Sequence, residues 1–211
     1  MNPDKQRKIQ KTLLASSITL MLFSLGGFAW LNFRLSGRNR EGAASSSLPA
    51  LTQLPQFTLI ERSGTPLGLE DLRGKIWIAD FIFTRCPGPC PLMTSRMVRL
   101  QSSLEGKSDV RLVSFSVDPE NDTPEELTKY ADQYHADRQH WFFLTGEKSA
   151  IHQLAKNGFL VGGVDDIMMH TTRFILVDRQ ARVRGYYDSN EEESLQKLMK
   201  DIETLLRERS T

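Results

Sequence analysis

The alternation of apolar and polar positions divides the chain into a long charge-free run, a small-residue stretch and an ordered series of short strands and helices. From Thr12 to Phe33 no residue is charged, and the run TLLASSITLMLFSLGGFAWLNF has 22 residues. At about 1.5 Å per residue a helix of that length spans a bilayer core of roughly 30 Å. Lys5, Arg7, Lys8 and Lys11 precede the run, Arg34, Arg38 and Arg40 follow it, and Trp30 stands near its far end, where an interfacial ring is favoured. The pattern predicts a basic cytoplasmic tail over 1–11 and an uncleaved transmembrane anchor over 12–34. A cleaved signal peptide would need a shorter apolar region and a nearby small-residue cleavage site. Residues 35–54, LSGRNREGAASSSLPALTQL, read as a flexible spacer.

Residues 55–208 carry the periodicities of one α/β domain. Phe57–Ile60 reads as a strand, Ser63-Gly64 as a turn and Leu67–Leu69 as a returning hairpin partner. Ile76–Phe83 is apolar except for Asp80, the signature of a central strand buried on both faces. A buried Asp80 needs hydrogen-bond partners or a raised pKa. Pro91–Leu104 shows helical spacing, and Val110–Val117 is the next strand. Thr123, Pro124 and Glu126 form a helix start, with a cap, a proline at the first position and a capping-box glutamate. A strand over 141–144, a helix over 149–157, strands over 174–177 and 182–187 and a helix over 191–207 complete the order. Parallel strands with crossover helices, then an antiparallel hairpin and a closing helix, predict a three-layer α/β sandwich.

Charge sharpens this division. Lys plus Arg total 27 and Asp plus Glu 26, a net of +1 that gives no support to nucleic-acid binding. The +1 divides into +5 over residues 1–41 and −4 over the remainder. There are 2 cysteines, which excludes a disulfide-rich scaffold, a four-cysteine zinc site and a cysteine-only iron–sulfur site. No GxGxxG or Walker-type phosphate loop is present.

Both cysteines fall in Thr84-Arg-Cys86-Pro-Gly-Pro-Cys90-Pro, between the buried strand and the helix after it. Strand ends of open α/β sheets are where sites form. Amide donors at the helix start are expected to lower the pKa of Cys90, with Arg85 adding positive charge. The pair suits thiol–disulfide exchange or binding of a soft metal such as copper. Three intervening residues, one more than in CxxC, do not decide between them. Two cysteines leave a metal short of ligands. His170, just before the strand at 174–177, is the candidate third, because that strand is expected beside the one that leads to Cys86. His135, His140 and His152 read as surface residues, and Met168 and Met169 as apolar loop packing.

With these motifs the sequence resembles the Sco/SenC family of membrane-anchored copper-binding proteins, which help assemble the binuclear copper centre of cytochrome c oxidase. The marks are Phe83-Thr84 before Cys86-Pro-x-x-Cys90-Pro91, then Val117-Asp118-Pro119-Glu-x-Asp122-Thr123-Pro124, then His170-Thr171. The resemblance implies a thioredoxin-like fold with an added hairpin, preceded by one transmembrane helix. It implies copper, as Cu(I) or Cu(II), held by Cys86, Cys90 and His170. Asp118 matches the family's aspartate after the central strand and is expected to orient a ligand or meet a partner. Gly88-Pro89 departs from the acidic and apolar pair of many relatives, and no proline directly precedes the strand at 174–177, where thioredoxins carry a cis-proline.

The expected role is a copper chaperone for the copper domain of cytochrome c oxidase subunit II, with a periplasmic copper donor or thiol reductase as further partners. The alternative is a thiol–disulfide oxidoreductase, with Cys86 and Cys90 as its redox pair, that keeps the oxidase cysteines reduced. A thiol peroxidase is a weaker third reading. The expected location is a bacterial inner membrane, single pass, with the soluble domain in the periplasm; a mitochondrial membrane is disfavoured because no long transit peptide precedes the anchor.

Overall fold

A computed structural model describes residues 48–161 and 172–208. Its frame is β4 (Ile76–Ile82), seven residues that are all buried. That burial follows from position, since β4 lies inside the sheet with β5 (Val110–Ser116) on one side and β7 (Arg173–Val177) on the other. β4 pairs with β5 in parallel, and β5 in turn with β6 (Trp141–Thr145). β7 runs antiparallel to β4 and is joined to β8 (Arg182–Asp188) as a hairpin. The short strands β1 (Thr52–Gln53), β2 (Thr58–Glu61) and β3 (Pro66–Gly68) extend the edges, giving one mixed sheet in the order β1-β8-β7-β4-β5-β6-β2-β3. Gly64, at φ +81°, makes the β2–β3 turn, where a side chain would be strained.

Alternation along β4 sorts the core into two layers. Ile76, Ile78 and Ile82 face helices α2 (Cys90–Ser103), α3 (Pro124–Gln133) and α5 (Glu192–Arg207), and pack with Met93, Met97, Leu127, Leu198 and Ile202. Trp77, Ala79 and Phe81 face the other way, towards α1 (Leu69–Leu72), α4 (Lys148–Gln153) and the single π-turn at Leu154–Gly158 that continues it. On that side Phe81, Phe115 and Phe159 pack with ring centroids 5.3 Å apart in each pair. Period-two burial on a central strand therefore gives each face its own helical layer.

The transmembrane helix, and with it the single-pass placement in a bacterial inner membrane, requires correction. Among the described residues no helix is long and apolar enough to cross a membrane. The longest, α5, has 16 residues, about 24 Å at 1.5 Å each, and buries only one face through Leu195, Leu198, Ile202 and Leu205 while charged residues line the other. The run at 12–34 lies outside the described residues. The expected spacer joins the domain from Leu48 onwards. The Arg184 guanidinium donates to the carbonyls of Leu48 and Pro49, and β1 pairs with β8. Arg184 is itself held by Asp178 at 2.8 Å and Glu208 at 3.1 Å.

Candidate metal centre

The chain leaves β4 at Ile82 and turns within a few residues. The Cys86 amide donates to the Phe83 carbonyl at 3.2 Å, which closes the turn. Cys90 is the first residue of α2, with Pro89 as its cap and Pro91 in the first turn, where a missing N–H costs no helical bond. Both cysteines are free, and they are 9% and 5% exposed. They join the apolar layer that contains Ile82 and Met93, and the Cys86 thiol is close enough to perturb the Cys90 thiol.

The electrostatics of Cys90 run opposite to the expectation from the helix start. Burial pushes its thiol up to about 12, and the nearby Cys86 thiol adds to the rise, against a smaller opposing effect of the Phe83 backbone. In the metal-free reduced domain Cys90 is thus a neutral thiol. The desolvation cost of a thiolate exceeds what the helix amides return.

Two carboxylates in this region are fully shielded from solvent. Asp80 lies on β4 opposite Ser114, and neither carboxylate oxygen has a hydrogen-bond partner of ordinary geometry. Burial raises its pKa to about 7, against weaker help from Ser114 and its own backbone amide. The second carboxylate, Asp122, lies beyond the end of β5 and is richly bonded. It accepts from the Thr84 amide at 3.2 Å, from Thr84 Oγ1 at 2.6 Å and from Ser116 Oγ at 2.5 Å.

Asp118 stands on the loop between β5 and α3, half-buried, and its carboxylate accepts from Asn121 Nδ2 at 2.9 Å. Arg85 reaches across from the cysteine loop to Asn121 Oδ1 at 3.1 Å. Asp118 therefore borders the cysteine loop through Asn121. His170 lies outside the described residues. Its strand is placed as expected: Ala79 pairs with Ile175 and Trp77 with Val177, so the antiparallel β7 starts beside the end of β4 that leads to Cys86. The other histidines have no part in this arrangement. His140 binds Asp137 at 2.6 Å, His135 follows the end of α3, and His152 lies in α4.

The donor set fits a soft cation. Two adjacent thiols in an apolar layer favour copper over hard metals such as magnesium or calcium. Among the described residues no group of three or more His, Cys, Asp or Glu side chains is gathered to hold a metal.

The sequence matches the SCO1/SenC family over residues 46–207. The chain belongs to the SCO1/SenC family. The SCO1 protein homolog of Bacillus subtilis is 36% identical over 162 residues, covering 74% of this chain and 84% of the relative. The structure of BsSco, described as having a disulfide switch and as a member of the Sco family of cytochrome c oxidase assembly proteins, is 34% identical with a TM-score of 0.68. It covers 78% of this chain and 100% of its own. A ScoI structure from Arabidopsis thaliana with copper bound is 26% identical with a TM-score of 0.60, covering 71% of this chain and 98% of its own. Membership in SCO1/SenC supports a copper-related function of the metallochaperone or redox kind.

Sequence reasoning located both cysteines but assigned no role to Asp122, Thr84 or Ser116. Asp122 sits next to the helix cap Thr123, so its sequence context suggests capping. The signal that could have found it was spacing, since Thr84 and Ser116 stand at the ends of two strands predicted to be neighbours.

Proposed function

We propose that this protein carries copper as its cargo, held by Cys86, Cys90 and His170, and delivers it to the copper domain of cytochrome c oxidase subunit II. The observation that carries the reading is the pair of free, buried thiols in one apolar layer at the end of β4, beside the start of β7. The copper-bound relatives and the oxidase-assembly description of BsSco support both the cargo and the recipient. The thiols must lose their protons to bind metal, so loading releases protons and is favoured by rising pH. Delivery would proceed by ligand exchange, with recipient thiolates replacing Cys86 and Cys90 in turn. Asp118 and the exposed Arg85 border the site and would meet the recipient.

Two free thiols in one apolar layer support a second reading, a thiol–disulfide oxidoreductase that keeps the recipient's cysteines reduced. One thiolate attacks the recipient disulfide, forming a mixed disulfide and expelling one recipient thiolate. The second cysteine then attacks, releasing the other thiolate and leaving a Cys86–Cys90 disulfide. Two electrons pass to the recipient. Burial of Cys90 favours Cys86 as the attacking sulfur.

The experiment loads the reduced protein with copper, adds apo copper domain of subunit II, and follows copper and disulfide state together. Copper transfer with the recipient already reduced supports the chaperone. Reduction of an oxidised recipient without copper transfer supports the oxidoreductase instead.

A further inference from the structure

Resting on the reading that Cys86 and Cys90 hold copper, we propose that Asp122 is the positioning residue that fixes the Cys86 arm of the site. Asp122 is fully shielded from solvent, and its bonds join two separate chain exits. From the end of β4 it takes the Thr84 amide and hydroxyl; from the end of β5 it takes the Ser116 hydroxyl. Thr84 lies between Phe83, whose carbonyl closes the Cys86 turn, and Cys86 itself. Ser116 Oγ in turn accepts from the Asp118 amide at 3.1 Å. One carboxylate thereby holds the cysteine loop and the Asp118 loop in a single register.

The chemistry of the three donors requires a carboxylate. Each offers a hydrogen to Asp122, and none of the ion pairs among the described residues involves it. Charge-assisted bonds of this kind are the strong ones. An asparagine would keep the shape but offer one accepting oxygen and turn an NH2 group towards donors. Helix capping does not account for the residue. Thr123 Oγ1 already accepts from the Glu126 amide as the α3 cap, while the Asp122 side chain points to Thr84 and Ser116.

The test uses the full chain, reduced, in four forms: unmodified, Asp122→Asn, Thr84→Val and Asp201→Asn. Asp201 is a buried carboxylate on α5, bonded to Tyr187 and Lys197, and its variant controls for lost stability alone. Each form is titrated with Cu(II), its absorption spectrum is recorded, and the reduction potential of the cysteine pair is measured. Asp122→Asn and Thr84→Val are expected to bind copper about tenfold more weakly, as for other residues that orient metal ligands. Their spectra and potentials should shift while Asp201→Asn keeps all three readouts. Unchanged affinity, spectrum and potential in Asp122→Asn, or equal shifts in Asp201→Asn, would overturn the proposal. If Asp122→Asn does not fold, Thr84→Val decides, since it leaves the carboxylate and the Ser116 bond in place. If the unmodified chain binds no copper, the copper reading fails by itself and the potentials still decide whether Asp122 positions the cysteines.

Discussion

Asp80 and Asp122 are the same residue type with the same complete burial, and they lie at two levels of one structure. Asp80 sits inside β4 beneath α2 and α3, without a hydrogen-bond partner of ordinary geometry. Asp122 sits beyond the end of β5 with three donors aimed at it. Burial alone raises the Asp80 pKa to about 7. The difference shows that the fate of a buried carboxylate is decided by the donors around it rather than by depth. It also separates two uses. The first carboxylate is a cost carried in the middle of the sheet, whereas the second is a fastening at the sheet's functional end.

The comparison breaks most visibly in the pH dependence of stability. The folded protein holds the Asp80 proton up to about pH 7, whereas the unfolded chain sheds it near pH 4. The stabilising effect of the protonated state is full below about pH 4 and is lost as pH rises to about 7. The loss is on the order of 4 kcal/mol. Asp80→Asn should flatten that slope and raise the unfolding free energy at pH 8, as measured by denaturant unfolding across pH 4–8. An unchanged slope would show that Asp80 does not titrate in this window.

Asp122→Asn should have the opposite sign and a smaller size, a loss of about 1–3 kcal/mol from one unsatisfied donor set. Denaturant midpoints at pH 5 and pH 8 check both points. A gain in stability would place Asp122 in the same class as Asp80.

Cys90 lies between these levels and links stability to loading. With its thiol pushed up to about 12, binding must expel its proton. Apparent copper affinity should therefore rise about tenfold per pH unit for each proton released, and competition titrations at pH 6, 7 and 8 measure it. A flat profile would mean that Cys90 does not bind as thiolate.

The smallest effect is expected at Gly88, where an added Cβ would meet only Cys86 Sγ, at 3.9 Å. Gly88→Asp should change stability by less than about 0.5 kcal/mol while placing a negative charge beside the sulfur. Thermal unfolding and a copper titration test this, and a large loss of stability would show that the loop has no room there.

Much of this was legible in the sequence, for identifiable reasons. The run at 76–82, apolar except for Asp80, marked the central strand because both of its faces are covered, and Asp80 stood out as the polar residue within it. Both cysteines were legible because one strand–helix junction contains them. Thr123-Pro124 marked the start of α3 because its capping chemistry is local. What depended on three-dimensional neighbours was not legible. The edge strand β1 needs β8 to exist, and Thr52-Gln53 has no pattern of its own. The Cys90 shift was misjudged in sign because helix amides are visible in sequence and desolvation is not. Asp122 was hidden because its partners are 38 residues upstream at Thr84 and 6 residues upstream at Ser116.

The central claim is that the two thiols form a copper site completed by a ligand from the segment before β7. Its most direct measurement is the copper stoichiometry and spectrum of the reduced protein beside Cys86→Ser, Cys90→Ser and His170→Ala. The account predicts about one ion per chain, lost in either cysteine variant and held more weakly with an altered spectrum in His170→Ala. Copper retained unchanged in a cysteine variant would contradict the site. Unaltered affinity and spectrum in His170→Ala would contradict its completion by His170.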